Sequence, residues 1–306
     1  RPLAAALYVV GLEVWGDRSA GFRALLLAVH LAGGWAVFRL ASRLGAHRAA
    51  AMVGAGLFLL TAANSQTLIW ISCLPYAAGL VLALWALDQH EAGRRGWAAA
   101  LYAASLLCFP YLLLWPLLAA AGDAVRGRRD WKAWAGYVLV GLGWWVLQSL
   151  ASPGRSVGGF PHAAGPGAWM GVARNVLIMP SLILAPLPSA GWLWSWRAGT
   201  WPSPAGLAAG VAALGLAVLA ARGLWRAWRI PGGRAAVVWL ALGGAPIAGR
   251  ILLDSRHLYG IAAFAGILAA VLLDRWRPRP SRMAAGVAVW AVVQTGAHWA
   301  EPAFYR

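Results

Sequence analysis

The chain of 306 residues is poor in charged residues, and most of the charge that it carries is of one sign. Only 11% of the residues are Asp, Glu, Lys or Arg; nine are acidic, one is a lysine (Lys132), and the net charge is +17. Hydrophobic residues make up 61% of the chain, so a soluble domain of this size would expose a large apolar surface to water. The composition therefore excludes an ordinary soluble domain and indicates a membrane protein.

Cysteine and recognisable catalytic motifs are also scarce. Cys73 and Cys108 lie within apolar runs, where a thiol behaves as a small core residue, so they exclude a disulfide framework and a cysteine-based metal site. The sequence contains no metal-ligand cluster, no nucleophile elbow and no glycine-rich phosphate loop. No cofactor is expected from these residues, although a requirement for a divalent metal stays open.

The basic residues that are present fall into five short loops between apolar stretches. Seventeen of the 26 Lys and Arg residues lie in these loops, and the loops between them are nearly bare. This alternation predicts a polytopic membrane protein whose five basic loops face the cytoplasm. A nucleic-acid-binding domain gathers its charge on one continuous face, so no nucleic acid partner is expected. The five loops carry Arg39, Arg43 and Arg48; Arg94 and Arg95; Arg126, Arg128, Arg129 and Lys132; Arg222, Arg226, Arg229 and Arg234; and Arg275, Arg277, Arg279 and Arg282.

The apolar stretches predict an all-α, polytopic transmembrane helical bundle that forms a single membrane-embedded domain over residues 1–306. A full span needs roughly 20 apolar residues, and fewer than about 14 indicates a re-entrant or interfacial piece, so residues 2–15 are too short. We expect about eight full spans plus short broken or re-entrant helices. The full spans are placed at 22–39, 50–66, 70–87, 134–150, 204–221, 235–248, 258–273 and 284–299.

Two stretches do not fit a single span. Residues 97–122 contain Pro110 and Pro116 and have a basic cluster on each side, so they must cross an even number of times, and two short halves are predicted. Residues 176–188 contain three prolines between two loops predicted to be external, which indicates a broken or re-entrant segment; an ordinary kinked helix is the alternative. Such breaks survive in a membrane only where protein or a water-filled cavity satisfies the freed backbone groups, so they point to a site.

Two stretches in the first third of the chain, together with one near its end, resemble membrane glycosyltransferases of the GT-C superfamily. Residues 1–45 have Arg1-Pro2-Leu3, Trp15-Gly16 and Phe22-Arg23 where the family has the start of an external helix, a turn and the residues before the next span. In residues 57–87, Trp70-Ile71-Ser72 matches the family's Trp-Ile-Ser segment, whereas its proline is replaced around Ala63.

The third stretch, SRHLYGIAAF at 255–264, is similar to the Glu-Arg-Tyr-Leu-Tyr-Leu-Pro motif of transmembrane O-mannosyltransferases that carry tetratricopeptide repeats. Arg256, Leu258 and Tyr259 match this motif. His257, Gly260 and Ile261 depart from it, and the repeats are absent from this sequence.

This resemblance implies a polyprenyl-phosphate-dependent transferase. The sugar would pass from a polyprenyl-phosphate-linked donor to a protein or glycan acceptor, with inversion, on the extracytoplasmic face of a membrane. The richness in Arg, Ala, Gly and Trp suggests a bacterium, so the expected location is the bacterial inner membrane, with the lipid bilayer as a further partner. In the family, the catalytic aspartate lies in an acidic loop before the segment that starts here at Arg1. We therefore expect the chain to be the C-terminal larger part of a GT-C transmembrane module.

The predicted orientation sorts the candidate site residues. Among the acidic residues on the outer side, Asp254 and Asp17 are the possible catalytic carboxylates within this chain. An arginine at the outer end of a span can bind a phosphate diester through charge-assisted hydrogen bonds. The residues predicted to bind the donor phosphate are Arg256, Arg250, His257 and Tyr259. Alternatively, Arg250 and Arg256 reach to lipid headgroups, and Asp254 pairs with one of them.

Further candidates lie at the ends of other predicted segments. Arg23 follows the external helix, and Arg174 and Asn175 open the broken segment, where they could contact donor or acceptor. A solvated turn is the alternative for Arg23. His30 lies inside an apolar span, where a hydrogen-bonded structural histidine is favoured over a catalytic base.

Two other classes of function stay open. A transporter or flippase of a lipid-linked solute would need polar residues along a path through the membrane and two halves related by a repeat, and the sequence shows no repeat. A non-catalytic membrane subunit that binds lipid without turning it over is the third possibility.

Overall fold

A computed structural model of the chain describes residues 2–61, 64–109, 113–151, 176, 183, 204–248, 255–276, 286–292 and 294. The described regular elements are all helical, which confirms the all-α prediction. A 3₁₀ turn at Ile71–Cys73 leads into α5. The helices are α1 (Pro2–Trp15), α2 (Ser19–Arg43), α3 (Arg48–Leu60), α4 (Ser65–Ile69), α5 (Leu74–Glu91), α6 (Arg95–Cys108), α7 (Trp115–Ala124), α8 (Trp131–Ala151), α9 (Pro204–Trp228), α10 (Pro231–Ala248) and α11 (Ser255–Trp276).

Among the described residues, four helical segments are long and apolar enough to cross a membrane, which indicates a membrane protein. They are Ser19–Arg43, Ile71–Glu91, Trp131–Ala151 and Leu258–Trp276, and each contains one of the predicted spans or most of it. The predicted number of about eight full spans is not confirmed. The span expected at 50–66 is shorter than predicted, because α3 ends at Leu60 after 13 residues. The predicted broken segment at 176–188 lies almost wholly outside the described residues.

The stretch 97–122 forms two short helices, as the sequence predicts. α6 has 14 residues and α7 has 10, so neither alone reaches the length of a span. The start of α6 and the residues after α7 lie at the same end of the bundle, because Arg95 pairs with Asp130. The pair is therefore a hairpin that enters the bundle and returns to the end from which it started.

The described residues of the five basic loops lie together at one end of the bundle, which is called the basic end below. The loops are far apart in sequence but are joined by direct contacts. These are Arg39 Nε to Asp88 Oδ2 at 3.1 Å, Arg126 Nη1 to Glu91 Oε2 at 2.7 Å, His47 N to Asp274 Oδ1 at 2.9 Å, and the guanidinium of Arg226 at 5.7 Å from the ring centre of Trp276. This arrangement is the one that the positive-inside pattern requires of cytoplasmic loops.

The closest helix crossing in the described core joins α3 and α11. A Cβ added to Gly54 would overlap the carbonyl oxygen of Gly266, and a Cβ added to Gly266 would overlap the carbonyl oxygen of Gly54. Buried alanines flank both glycines, so the two backbones approach as closely as small residues allow in membrane helices. Because the helices are antiparallel, this crossing brings the end of α3 beside the start of α11.

Candidate functional site

Four rings from α2, α3, α5 and α11 pack together far from the basic end. We call this group the His30 cluster: His30 of α2, Phe58 of α3, Tyr76 of α5 and Tyr259 of α11. The ring centres of His30 and Phe58 are 4.9 Å apart, those of Phe58 and Tyr259 5.2 Å, and those of Tyr76 and Tyr259 6.2 Å. His30 lies along α2 roughly 20 Å from Arg43, which places the cluster at membrane depth.

The hydrogen bonds of His30 define its tautomer. Its Nε2 lies 3.1 Å from the carbonyl oxygen of Leu59, and a carbonyl can only accept, so Nε2 carries the hydrogen. The Nδ1 of the neutral ring is then an acceptor, and the hydroxyl of Tyr259 donates to it over 2.9 Å. His30 is thus hydrogen-bonded on both sides, in agreement with the structural role that the sequence favoured.

The end of α3 explains why polar side chains are buried here. The last carbonyls of a helix have no partner within the helix, and inside a membrane they need one from the protein. Leu59 receives its hydrogen bond from His30, and the carbonyl of Phe58 accepts from Asn64 Nδ2 at 2.6 Å. The backbone break after Leu60 is therefore stabilised by side chains from α2 and from the segment that follows.

Two buried oxygens near this break have no hydrogen-bond partner in the part of the chain that the structure describes. The side chains of Asn64 and Thr67 are fully buried, yet neither Asn64 Oδ1 nor Thr67 Oγ1 has a partner among the described residues. A buried polar atom without a partner costs about 1–3 kcal/mol. Since such atoms are rare, these two indicate a place where a polar ligand or water would complete the hydrogen bonding.

A narrow apolar cavity of about 90 Å³ begins at the His30 cluster. Tyr76 and Gly260 line it beside Tyr259, and Leu80, Leu84 and Leu87 continue its wall along α5 toward the basic end, over roughly 16 Å. The cavity suits an apolar chain beside α5. Asn64 and Thr67 do not line it, but Asn64 bonds to the carbonyl of Phe58 in the His30 cluster, to which the cavity wall is connected through Tyr76.

The structure describes only part of the predicted phosphate-binding group. Tyr259 belongs to the His30 cluster, is completely buried and uses its hydroxyl for His30. Arg256 and His257 lie in the first turn of α11, next to Tyr259, but their side chains are not among those described. Arg250 and Asp254, and Arg174 and Asn175 of the broken segment, lie outside the described residues.

Asp17 and Arg23 are not gathered into the His30 cluster. Both are exposed: Asp17 lies in the turn between α1 and α2, and Arg23 lies near the start of α2, at the end away from Arg43. Their turn is tied to the bundle nearby, because the hydroxyl of Tyr8 in α1 donates to the carbonyl of Ile71 at 2.9 Å. They are placed at the rim of the predicted active face, and their catalytic or binding roles stay predictions.

The sequence analysis did not foresee a second buried polar group, at the basic end. We call it the basic-end network: Asp88, His90, Glu91 and Asp123 with the arginines that pair with them. His90 Nε2 is 2.9 Å from Asp123 Oδ2, and His90 Nδ1 is 3.1 Å from the hydroxyl of Tyr137. Acidic residues that directly precede basic clusters in the sequence were a possible signal of this network, but the same pattern is equally typical of a solvated loop.

The electrostatics of the basic-end network are self-compensating. Burial by itself would raise the pKa of Asp123, but hydrogen bonds from His90 and Trp134 and the charge of Arg128 hold that pKa well below its usual range. Asp123 lies just beyond the predicted membrane segment 97–122. Arg128 Nε donates to Asp123 Oδ1 at 2.7 Å, and the same guanidinium donates to Glu91. The carboxylates of the network and its basic side chains therefore neutralise one another.

A metal does not fit this network as it is built. Ligand atoms of His90, Glu91 and Asp123 lie within 4.8 Å of one another, a spacing that could hold a cation. However, Glu91 already accepts hydrogen bonds from Arg126 at 2.7 Å and from Arg128 at 2.8 Å. A divalent cation would have to displace these guanidinium groups, so no chemistry is assigned to a metal here.

Comparison with protein-family models, with curated proteins and with solved structures found no match to this chain. The evidence for a membrane protein is therefore the pattern of the sequence and the four apolar helices that the structure describes.

Proposed function

We propose that this protein is an integral membrane glycosyltransferase of the bacterial inner membrane, which moves a sugar from a polyprenyl-phosphate-linked donor to a protein or glycan acceptor on the extracytoplasmic face. The observation that supports this proposal best is that Tyr259, a residue of the third stretch of the resemblance, packs in the His30 cluster between buried polar groups and an apolar cavity. A donor of this class has a polar sugar phosphate joined to a long apolar chain, so it needs buried polar groups for the one part and an apolar wall for the other.

In this proposal, the two parts of the donor contact different walls of the site. The cavity beside Leu80, Leu84 and Leu87 takes part of the prenyl chain, whose burial contributes about 0.8 kcal/mol per CH₂ group. Asn64 Oδ1 accepts a hydrogen bond from a sugar hydroxyl, and Thr67 Oγ1 bonds to a second one. The donor thereby satisfies the two oxygens that lack a partner.

The phosphate of the donor lies at the start of α11. The N-terminus of a helix attracts anions through its free N–H groups and its dipole, and Arg256 is in this first turn. Arg256 neutralises the phosphate as it leaves, with Arg250 and His257 close by in sequence. One well-placed donor of this kind contributes about 3–4 kcal/mol to the transition state. The bond from Tyr259 to His30 holds this end of α11 against α2.

The reaction is a single displacement at the anomeric carbon. A carboxylate on the extracytoplasmic side removes the proton from the acceptor hydroxyl, and Asp254 and Asp17 are the candidates within this chain. The acceptor oxygen forms a bond to the anomeric carbon while the bond from that carbon to the phosphate oxygen breaks. The electron pair of the broken bond stays on polyprenyl phosphate, and the configuration of the sugar is inverted.

A binding measurement tests this proposal without knowledge of the sugar. The purified full chain in detergent is titrated with a photoactivatable polyprenyl monophosphate, and the labelled fraction is measured. We expect saturable labelling of the wild type and a loss of at least tenfold in affinity for Arg256→Ala. Arg129→Ala, at the basic end, is the matched control and should bind as the wild type does. Normal binding by a folded Arg256→Ala protein would remove Arg256 from the site, and no binding by the wild type would reject the proposal.

Transport has less support than transfer. A transport path needs polar groups across the membrane, but the wall of α5 between the His30 cluster and the basic-end network consists of Leu80, Leu84 and Leu87. The described polar groups form two separate sites instead of one continuous path.

A further inference from the structure

The basic end has two halves that differ in their carboxylates. In the half formed by α5 to α8, Asp88, Glu91, Asp123 and Asp130 all pair with arginines. In the half formed by α9, α10 and the end of α11, the one described carboxylate is Asp274, which bonds to His47 of the loop before α3. The arginines of this second half therefore have no carboxylate partner among the described residues.

These arginines share a surface with exposed tryptophans, which we call the Trp–Arg surface. Its members are Arg222, Arg226, Arg229, Arg234 and Arg275 with Trp225, Trp228 and Trp276, all of them exposed. Trp225 and Trp276 keep 64% and 55% of their surface exposed, which is high for so large an aromatic side chain. An exposed surface of this composition at the end of helices is typical of the level where lipid headgroups meet the hydrocarbon.

The arginines of this surface are held in place by tryptophans. The guanidinium of Arg226 lies 5.7 Å from the ring centre of Trp276, and that of Arg229 lies 5.3 Å from the ring centre of Trp225. Arg234 Nε donates to the carbonyl of Trp228 at 2.9 Å. Stacking on a ring leaves the N–H groups at the edge of a guanidinium available for an anion and restricts its motion, so less entropy is lost on binding.

The spacing of the arginines matches a ligand that lies along the helix. Arg222, Arg226 and Arg229 recur at intervals of four and three residues, which places them on one face of α9 over about two turns. Guanidinium groups bind phosphate oxygens through paired, charge-assisted hydrogen bonds. We propose that the Trp–Arg surface is a binding site for the phosphodiester headgroup of an anionic membrane phospholipid.

A lipid is the occupant that the surroundings favour. The tryptophans place the surface at the membrane interface, where lipid phosphates are the most concentrated anions, and juxtamembrane arginines each add about 1 kcal/mol of attraction to an anionic leaflet. In the other half of the basic end, carboxylates pair with five arginines, which leaves fewer cations there for an anionic lipid. These arginines are Arg39, Arg43, Arg95, Arg126 and Arg128. This inference does not depend on the proposed transferase activity.

The test compares two pairs of arginines at the same end of the protein. The full chain is reconstituted in phosphatidylcholine bilayers that contain photoactivatable phosphatidylglycerol, and labelling of α9 is quantified by mass spectrometry. We expect Arg226→Gln with Arg229→Gln to weaken labelling by an order of magnitude or more, since each arginine contributes roughly fivefold. The control pair, Arg94→Gln with Arg129→Gln, removes the same charge from exposed positions beside the carboxylate-rich half and should stay within about twofold of the wild type.

Three results would overturn the proposal. They are an equal loss for both pairs, equal labelling by photoactivatable phosphatidylcholine, and displacement of the label by polyprenyl monophosphate but not by phosphatidylglycerol. Thermal unfolding of each variant, which should match that of the wild type because all four arginines are exposed, shows that a loss of labelling is not a loss of fold.

Discussion

Two buried histidines in this protein have the same kind of partner but opposite surroundings. His30 and His90 are both almost fully buried, and each has a ring nitrogen hydrogen-bonded to a tyrosine hydroxyl, of Tyr259 and Tyr137 respectively. The second nitrogen of His30 bonds to a backbone carbonyl, whereas that of His90 bonds to the carboxylate of Asp123. One histidine belongs to an uncharged cluster with unpaired oxygens beside it, and the other belongs to a network of compensated charges.

The comparison distinguishes a polar network that stabilises the fold from polar side chains that have no described partner. In the basic-end network, every described carboxylate is bonded to a cation, so nothing is left for a ligand. Near the His30 cluster, the side chains of Asn64 and Thr67 each have a buried oxygen without a partner among the described residues. Burial and a histidine therefore do not identify a functional site by themselves, whereas a buried polar atom without a described partner is a reason to test for a ligand.

The largest effect is expected from breaking the basic-end network with Asp123→Asn. The substitution removes the carboxylate charge beside the fully buried ring of His90, whereas Arg128 is 41% exposed and keeps its bond to Glu91. We therefore expect a loss of about 3 kcal/mol, the lower end for breaking a buried ion pair. Thermal or denaturant unfolding in detergent measures this loss. Asp17→Asn, at an exposed turn, is the control and should leave stability unchanged. A stable Asp123→Asn protein would mean that the network does not hold the fold.

The same carboxylate should make stability depend on pH. Because the pKa of Asp123 is lower in the folded protein than its value of about 3.9 in an unfolded chain, its contribution is present above that value and is lost as the pH falls below it. We expect the difference in unfolding free energy between wild type and Asp123→Asn to decrease as the pH falls from about 5 to about 3, a range in which such carboxylates become protonated in the unfolded chain. A constant difference over this range would contradict the assignment.

A smaller effect is expected from Tyr259→Phe, compared with Tyr137→Phe. Each substitution deletes the hydroxyl that bonds to a buried histidine, so each should lower the unfolding free energy by about 1–3 kcal/mol. Only Tyr259→Phe should also weaken the binding of polyprenyl monophosphate, because only this hydroxyl positions the start of α11. Equal binding by the two variants would show that the two histidines do not differ in function.

The smallest effect on stability is expected from Thr67→Val. The hydroxyl of Thr67 has no described partner, so its removal should leave stability unchanged or raise it by up to about 1 kcal/mol. Ser105→Ala is the matched control, because Ser105 Oγ is equally buried but donates to the carbonyl of Tyr102 at 2.7 Å, and its loss should destabilise the protein. A clear destabilisation by Thr67→Val, measured by the same unfolding assay, would mean that this hydroxyl is bonded within the protein.

The sequence alone was sufficient to predict the features that depend on local composition. The grouping of arginines predicted which loops share one end, and the prolines at 110 and 116 between two basic clusters predicted the hairpin of α6 and α7. Both follow from local rules, the cost of moving charge across a bilayer and the length of a span.

The early end of α3 and the basic-end network could not be predicted in this way. α3 ends where His30, from another helix, supplies the hydrogen bond for Leu59, and nothing near Leu59 in sequence indicates that partner. Glu91 likewise receives its arginines from the loop after α7, 35 and 37 positions away. Both features depend on contacts between residues that are distant in sequence, and the hydropathy of a single segment gives no information about such contacts.

The hairpin of α6 and α7 also determines how this part of the chain can be inserted during synthesis. The residues that connect the two helices, 109–114, read Phe-Pro-Tyr-Leu-Leu-Leu in the sequence and contain no charged residue, while Arg95 and Arg126 stay at the two open ends. The hairpin can therefore enter the bilayer from the basic end without moving a charge to the far side. Its packing against α5, through the bond from Trp115 Nε1 to the carbonyl of Ala83, needs no translocation of charge either.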